Sequence, residues 1–223
     1  MAFALLVPLC YLLGAVPFGL LVARLSRGID VRDYGSGNTG VTNVLRTAGR
    51  WPALAVLALD AGKGVLPVLL ARAIQPSPSL EVAVALSALV GHNWSVFLRF
   101  RGGKGTATGI GALCAISPLA GLMVLVLGLP VIVIFRYVSL GSVVGAILAV
   151  VSMSLLAIPG PALYLGVPSF IYLLYPFIGA PLLIFRHRDN IRRLLKGQES
   201  KLGESARVSD PSVGSPSPDK AAR

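Results

Sequence analysis

The sequence is poor in charge, in carboxylates, in aromatic rings and in cysteine. Charged residues make up 13% of the 223, about half the share of an ordinary soluble domain. With 55% of residues apolar, one small chain has no surface that could keep this mass in water, so the bilayer is the expected solvent. Disorder of the whole chain is excluded, because it requires low hydrophobicity. The two cysteines, Cys10 and Cys114, lie in apolar runs and are too few for a disulfide framework. The two histidines, His92 and His187, stand far apart with no cysteine cluster beside them. No zinc ligand set exists, and neither a metal nor a cofactor is expected.

What is present is a series of apolar runs: residues 2–23, 51–73, 80–98, 110–135, 140–158 and 162–185. Each is long enough for a helical span of about 20 residues, which predicts an all-α polytopic membrane protein. The first run continues to Arg24 and Arg27 with no small-residue cleavage site, and reads as a retained span rather than a signal peptide. Pro17 and Gly19 interrupt it, as membrane helices tolerate. Residues 1–199 form the membrane domain. From Ser200 to Arg223 the chain is Ser, Pro and charge without periodicity, the composition of a disordered tail.

The net charge of +11 is a topology signal rather than a nucleic-acid footprint. Lys and Arg gather at residues 24–50, 99–104, 136 and 186–223, which hold 5, 3, 1 and 9 of the 20. Basic loops stay cytoplasmic, so the N-terminus is expected outside and the tail inside. All four groups share one side only if residues 110–135 cross twice. Ser117-Pro118 and Gly121 mark the break, and the count becomes seven helices, some short.

Three polar clusters punctuate these runs. Residues 35–43 read GSGNTGVTN, followed by Arg46. Glycines bring bare amides close to a ligand, and Arg46 offers a planar fork suited to phosphate. Residues 99–109 read RFRGGKGTATG. The Walker A spacing is absent because Lys104 is followed by Gly105, yet glycine amides, one cation and a following helix still suit phosphate. Residues 186–199 read RHRDNIRRLLKGQE, an amphipathic interfacial helix that places His187 and Asn190 three apart. Glu199 follows the helix-breaking Gly197 and can fold back. A fourth, shorter stretch is RYVSLGS at residues 136–142, where Ser139 and Ser142 can serve a ligand or bond a helix carbonyl. Asp60 and Lys63, costly at membrane depth, read as a scaffolding pair with a possible contact to the site. His92 reads as a hydrogen-bonded structural histidine.

Some chemistry is missing. No G-x-S-x-G elbow occurs. Five residues after His92 is Phe97, and five after His187 is Arg192, so the H-x-x-x-x-D pair of the common glycerolipid acyltransferases is absent. Anion-binding loops without an evident base suit a substrate already activated by phosphate, where positioning and charge stabilisation carry the rate.

Taken together, GSGNTGVTN with Arg46, DAGKG from Asp60, GHNW followed by GGKGTATG, RYVSLGS and RHRDNIRRLLKGQE resemble the bacterial acyl-phosphate:glycerol-3-phosphate acyltransferases, the PlsY family. The resemblance covers roughly residues 2–199, and its specificity lies in the order of the motifs. Val41 departs from an expected alanine. The resemblance implies a seven-pass enzyme of the bacterial cytoplasmic (inner) membrane. Its active site would lie on the cytoplasmic face, moving an acyl group from acyl phosphate to the sn-1 hydroxyl of glycerol 3-phosphate and giving lysophosphatidic acid and phosphate. It implies a functional link to the enzyme that makes acyl phosphate. Ser36, Gly37, Asn38, Thr42 and Asn43 would cradle the donor phosphate. Lys104, with Gly102 and the amides of Gly103, Gly105 and Thr106, would hold the growing phosphate charge. Arg46, Ser142, His187 and Asn190 would bind glycerol 3-phosphate, with Glu199 supporting that lobe. The acceptor proton would pass to the donor phosphate or to His187. Two other classes use similar residues: a small transporter of phosphate or organophosphate, and an anion-sensing scaffold.

Overall fold

The computed structural model describes residues 1–157 and 169–204. Residues 158–168, where the runs 140–158 and 162–185 meet, and residues 205–223 of the Ser/Pro tail fall outside the described residues. Within them the chain is helical: α1 (Ala2–Ala15), α2 (Phe18–Arg27), α3 (Val41–Thr47), α4 (Arg50–Ile74), α5 (Pro78–Asn93), α6 (Thr106–Ile116), α7 (Pro118–Phe135), α8 (Val138–Leu156), α9 (Leu174–Arg186) and α10 (Arg188–Leu195). Five segments are long and apolar enough to cross a bilayer: Ala2–Arg27, Arg50–Ile74, Pro78–Leu98, Pro118–Phe135 and Val138–Leu156. Phe170–Arg186 with Arg188–Leu195, bent by 59°, can make a sixth.

Two breaks foreseen from proline occur where the sequence places them. The first run splits at Val16–Pro17, because Pro17 has no N–H to continue the ladder. At the break the Val16 carbonyl accepts from Phe18 N at 3.1 Å and from Lys63 Nζ at 2.9 Å. The fourth run splits at Ser117–Pro118. Pro118 sits at the first position of α7, and the Ser117 hydroxyl accepts from Ala120 N at 3.4 Å, a cap on the new helix. The piece before this break, α6, has 11 residues and spans about 16 Å, about half the hydrocarbon thickness.

Small residues set the crossings, as expected where lipid removes the hydrophobic drive between helices. Gly64 of α4 lies on the Thr108 carbonyl of α6, and Gly111 of α6 lies on the Ala61 carbonyl of α4. Added Cβ atoms would overlap backbone at both points. Leu and Val side chains of α1, α4, α7 and α8 cover the outer surface, among them Leu5, Leu9, Leu54, Leu66, Leu122 and Val126. A soluble monomer does not expose so continuous an apolar surface. At the end of α4 away from the polar clusters, Arg72 pairs with Glu81 at 2.6 Å and donates to the Ala115 carbonyl at 3.1 Å. It thereby caps the C-terminus of α6.

Candidate active site

All four polar stretches meet at one end of the helices, around a cleft of about 1890 Å³. Its polar head is lined by Ser36, Asn38, Thr42, Arg46, Lys104, Gly105, Thr106, Ser139, Ser142, His187, Asn190 and Glu199. Below the head the cleft continues between α4, α6, α7, α8 and α9 along apolar and small side chains, including Val65, Ile110, Leu129, Gly145 and Leu183. The sequence elements that look unrelated in the chain are therefore walls of one amphipathic space.

The first loop is organised by Asn43, which is 2% exposed. Its amide nitrogen lies 2.9 Å from the Val31 carbonyl, 3.0 Å from that of Tyr34 and 2.9 Å from that of Asn38. Its Oδ1 accepts from Ser36 N at 3.0 Å. Both ends of the side chain are thus committed to the loop, and Asn43 shapes the cradle rather than lining it with a free donor. The same correction applies to Gly37: its amide donates to the Tyr34 carbonyl at 3.1 Å, in a turn that needs its φ of +66°. Ser36 and Thr42 line the cleft, while Asn38 donates to the Ser36 carbonyl at 3.1 Å.

The second loop folds back on the end of α5. Gly103 N donates to the His92 carbonyl at 3.0 Å, so this amide is engaged within the protein and not directed at substrate as the resemblance implies. Arg186 receives the loop from the other side, donating to the carbonyls of Gly102 at 2.8 Å and Gly103 at 3.0 Å. Gly102 and Gly103 are therefore a clamped turn. Gly105, at φ +81°, caps α6, and Thr106 and Ala107 of its first turn line the cleft. This leaves helix N-terminal amides beside Lys104, an arrangement that favours anions.

The third stretch closes the site. Lys104 Nζ donates to Asn190 Oδ1 at 2.6 Å. Asn190 Nδ2 donates to Glu199 Oε1 at 2.6 Å, and Ser139 Oγ donates to the same oxygen at 2.7 Å. Arg193 Nε donates to Glu199 Oε2 at 2.7 Å. Glu199 does fold back past Gly197, and it ties α8 to α10. Burial pushes its carboxyl up, but hydrogen bonds from Asn190, Ser139 and Arg193 outweigh that and hold it below the ordinary range. Arg46 reaches across to the carbonyls of Ser200 at 3.1 Å and Lys201 at 3.4 Å. Ser142 lines the cleft and donates to the Val138 carbonyl at 2.9 Å.

Arg46, Lys104, Arg186 and Arg193 all line the cleft, and Glu199 is the carboxylate bonded into this group, through Arg193. Burial, then the charges of Arg193, Arg186 and Arg46, lower the Lys104 ammonium to about 8, against the pull of Glu199. A phosphate dianion placed here would relieve that repulsion. Burial lowers His187 to about 4 despite its bond to Leu183, so it is neutral at pH 7. Its Nδ1 lies 2.9 Å from the Leu183 carbonyl, an acceptor only, which fixes the proton on Nδ1 and leaves Nε2 with a lone pair. Among the described residues no cluster of metal-ligating side chains is present. Sequence reasoning gave Arg186 no role and set Arg193 toward lipid headgroups, whereas Arg193 turns inward onto Glu199. Their position, flanking His187 and one turn after Asn190, was the available signal.

Comparisons with known proteins agree with this geometry. A family model described as Glycerol-3-phosphate acyltransferase matches residues 4–197. Glycerol-3-phosphate acyltransferase 2 of Moorella thermoacetica is 47% identical over 194 residues, covering 87% of this chain and 94% of the relative. The glycerol-3-phosphate acyltransferase of Rubrobacter xylanophilus is 46% identical over 199 residues, covering 89% and 94%. Among solved structures, the integral membrane glycerol 3-phosphate acyltransferase PlsY (YgiH) in its glycerol 3-phosphate form superposes with a TM-score of 0.82 at 36% identity, covering 91% of this chain and 96% of that one. Its lysophosphatidic acid form gives 0.80 at 35%. The chain therefore belongs to the glycerol-3-phosphate acyltransferase family of integral, multi-pass membrane proteins.

Proposed function

We propose that this acyltransferase uses acyl phosphate as donor and acylates the sn-1 hydroxyl of glycerol 3-phosphate. The supporting observation is the continuity of the cleft: a head carrying Arg46, Lys104, His187 and Asn190 opens directly onto an apolar groove. The donor phosphate sits at Ser36, Asn38, Thr42 and Lys104 with the Gly105 and Thr106 amides. Its acyl chain runs down the groove. Arg46, Ser142 and Asn190 take the phosphate and hydroxyls of glycerol 3-phosphate, displacing the carbonyl contacts that now occupy Arg46.

In the reaction the acceptor oxygen bonds to the acyl carbon and the bond from that carbon to the phosphate oxygen breaks. The electron pair leaves with phosphate, which also takes the hydroxyl proton. Lys104 stabilises the charge that grows on the leaving phosphate. Neutral His187 accepts a hydrogen bond at Nε2 from the neighbouring glycerol hydroxyl and so aims the attacking one, whose proton faces the phosphate. Glu199 is a positioning residue, acting through Asn190 and Lys104.

We further infer seven passes, with α6 the short one, the N-terminus outside and the site and tail at the cytoplasmic face of the bacterial inner membrane. The polar clusters gather at one end of the helices, while Arg72, at the other end, is neutralised by Glu81. The deciding experiment combines purified protein, acyl phosphate and radiolabelled glycerol 3-phosphate. Lysophosphatidic acid should form without acyl-CoA or acyl carrier protein. A strict need for either would overturn the donor assignment, and uptake of glycerol 3-phosphate into vesicles without product would indicate a transporter.

A further inference from the structure

On the wall of the cleft beside Lys104 lies a buried polar chain, including Asp60 and His92, that the transfer chemistry above does not use. Asp60 and Lys63 of α4 pair at 2.8 Å with side chains 3% and 2% exposed. Lys63 is spent on the break in the first span, through its bond to the Val16 carbonyl. Asp60 Oδ1 stands 3.7 Å from His92 Nδ1, and the Thr108 hydroxyl of α6 stands 3.2 Å from the same nitrogen. The other face of the ring meets the glycine turn: a Cβ added to Gly103 would overlap His92 Nε2, and one on Gly102 would overlap the His92 carbonyl. His92 thus touches the loop one residue before Lys104, with its ring bonded from α6 and its backbone bonded to Gly103. Arg186 closes the turn from the opposite side.

A clamp of this kind has a purpose beyond folding. The turn is short and glycine-rich, and glycine pays the largest conformational entropy when ordered. Left free, it would let the Lys104 ammonium wander by more than an ångström, and misplacement on that scale costs about 100-fold in rate. We propose that His92 is a positioning residue for the reaction: its ring, bonded to Thr108 and lying beside Asp60 of the buried ion pair, seats the Gly102–Gly103 turn and so sets where Lys104 meets the phosphate. This rests on the reading of Lys104 as the phosphate-binding cation. The ion pair has a matching use. A buried charge pair seldom adds net stability but can fix a unique arrangement, here the meeting of α1, α4, α5 and α6 under the loop.

The test uses the full chain in detergent with acyl phosphate and glycerol 3-phosphate. His92→Ala should lower kcat by about 10- to 100-fold with KM for glycerol 3-phosphate changed less than about 3-fold. It should also move the alkaline limb of the pH–rate profile upward from about pH 8, because a released Lys104 regains solvent. Thr108→Val should follow the same pattern in milder form, and Thr108→Ser, which keeps the hydroxyl, should restore it. A folded His92→Ala protein with undiminished kcat overturns the proposal. So does a fall in kcat with an unmoved alkaline limb, since the ring would then not act through Lys104. If His92→Ala does not fold, the Thr108 pair decides: equal rates for Val and Ser overturn it. Full activity of Lys104→Ala would instead mean that the underlying reading of Lys104 has failed.

Discussion

Lys104 and Asn190, 86 residues apart in sequence, are joined by a hydrogen bond of 2.6 Å from Nζ to Oδ1. The bond makes one site of two loops that flank different helices. It also fixes the orientation of the amide: Oδ1 must face the ammonium because Nδ2 donates to Glu199. The cation that would meet phosphate is held by an uncharged group, so its charge is not consumed by its support.

Replacement of Lys104 by alanine should therefore remove charge stabilisation without disturbing the fold. The expected loss in kcat is at least about 10²–10³-fold, with unchanged expression and thermal unfolding in detergent. Retention of more than a tenth of wild-type turnover would show that another group neutralises the leaving phosphate.

The pH profile carries the same information independently. Lys104 is lowered to about 8, so it is charged below that pH and neutral above it. Phosphate monoesters are fully ionised well below pH 8, their second pKa being about 6, and do not titrate in the window. The kcat/KM of the wild type should hold level to about pH 8 and then fall about tenfold per pH unit. Lys104→Arg, which stays charged, should be slower but flat to pH 9.5. A flat wild-type profile over that range would detach Lys104 from the chemistry.

Much of this was legible in the sequence because membrane physics leaves few options. Proline without an N–H dictated the breaks at Pro17 and Pro118, and the charge count placed the clusters on one side. Glu199 was readable as a residue that folds back because Gly197 ends its helix. The roles of Gly37, Asn43 and Gly103 were not readable. Each belongs to a motif that suits phosphate, yet whether an amide faces a ligand or a carbonyl depends on loop closure, and composition does not encode it. Arg186 was hidden for a related reason: in a basic stretch explained by topology, its place beside His187 was the one cue, and it does not show that this guanidinium turns inward onto Gly102 and Gly103.

Glu199→Gln separates holding from charge. The amide can still accept from Asn190 and Ser139 on its oxygen, but its NH2 faces Arg193 and cannot accept. The variant should lose about 1–3 kcal/mol of stability, the cost of a charged hydrogen bond removed, and about tenfold in kcat/KM. The sign with pH follows from a folded-state carboxyl held below its ordinary 4.5. The wild-type advantage over Glu199→Gln should be full above pH 4.5 and shrink on acidification. An advantage that grows as pH falls would contradict the network.

His187 gives the sharpest test of where the proton goes. In the folded chain it is lowered from 6.5 to about 4, so the unfolded chain takes up a proton first as pH drops. The wild type should therefore lose stability between pH 6.5 and 4 more steeply than His187→Gln, which has no titrating ring. Equal slopes would mean that the ring is not held neutral. In catalysis a side chain so lowered is a poor acceptor of a full proton, and the leaving phosphate is the better one. Glutamine keeps a hydrogen-bond acceptor but cannot act as a base, so His187→Gln should retain measurable turnover, reduced by about 10- to 100-fold through looser aim. Complete loss of turnover, with both substrates still bound by equilibrium dialysis, would transfer the proton from the donor phosphate to His187.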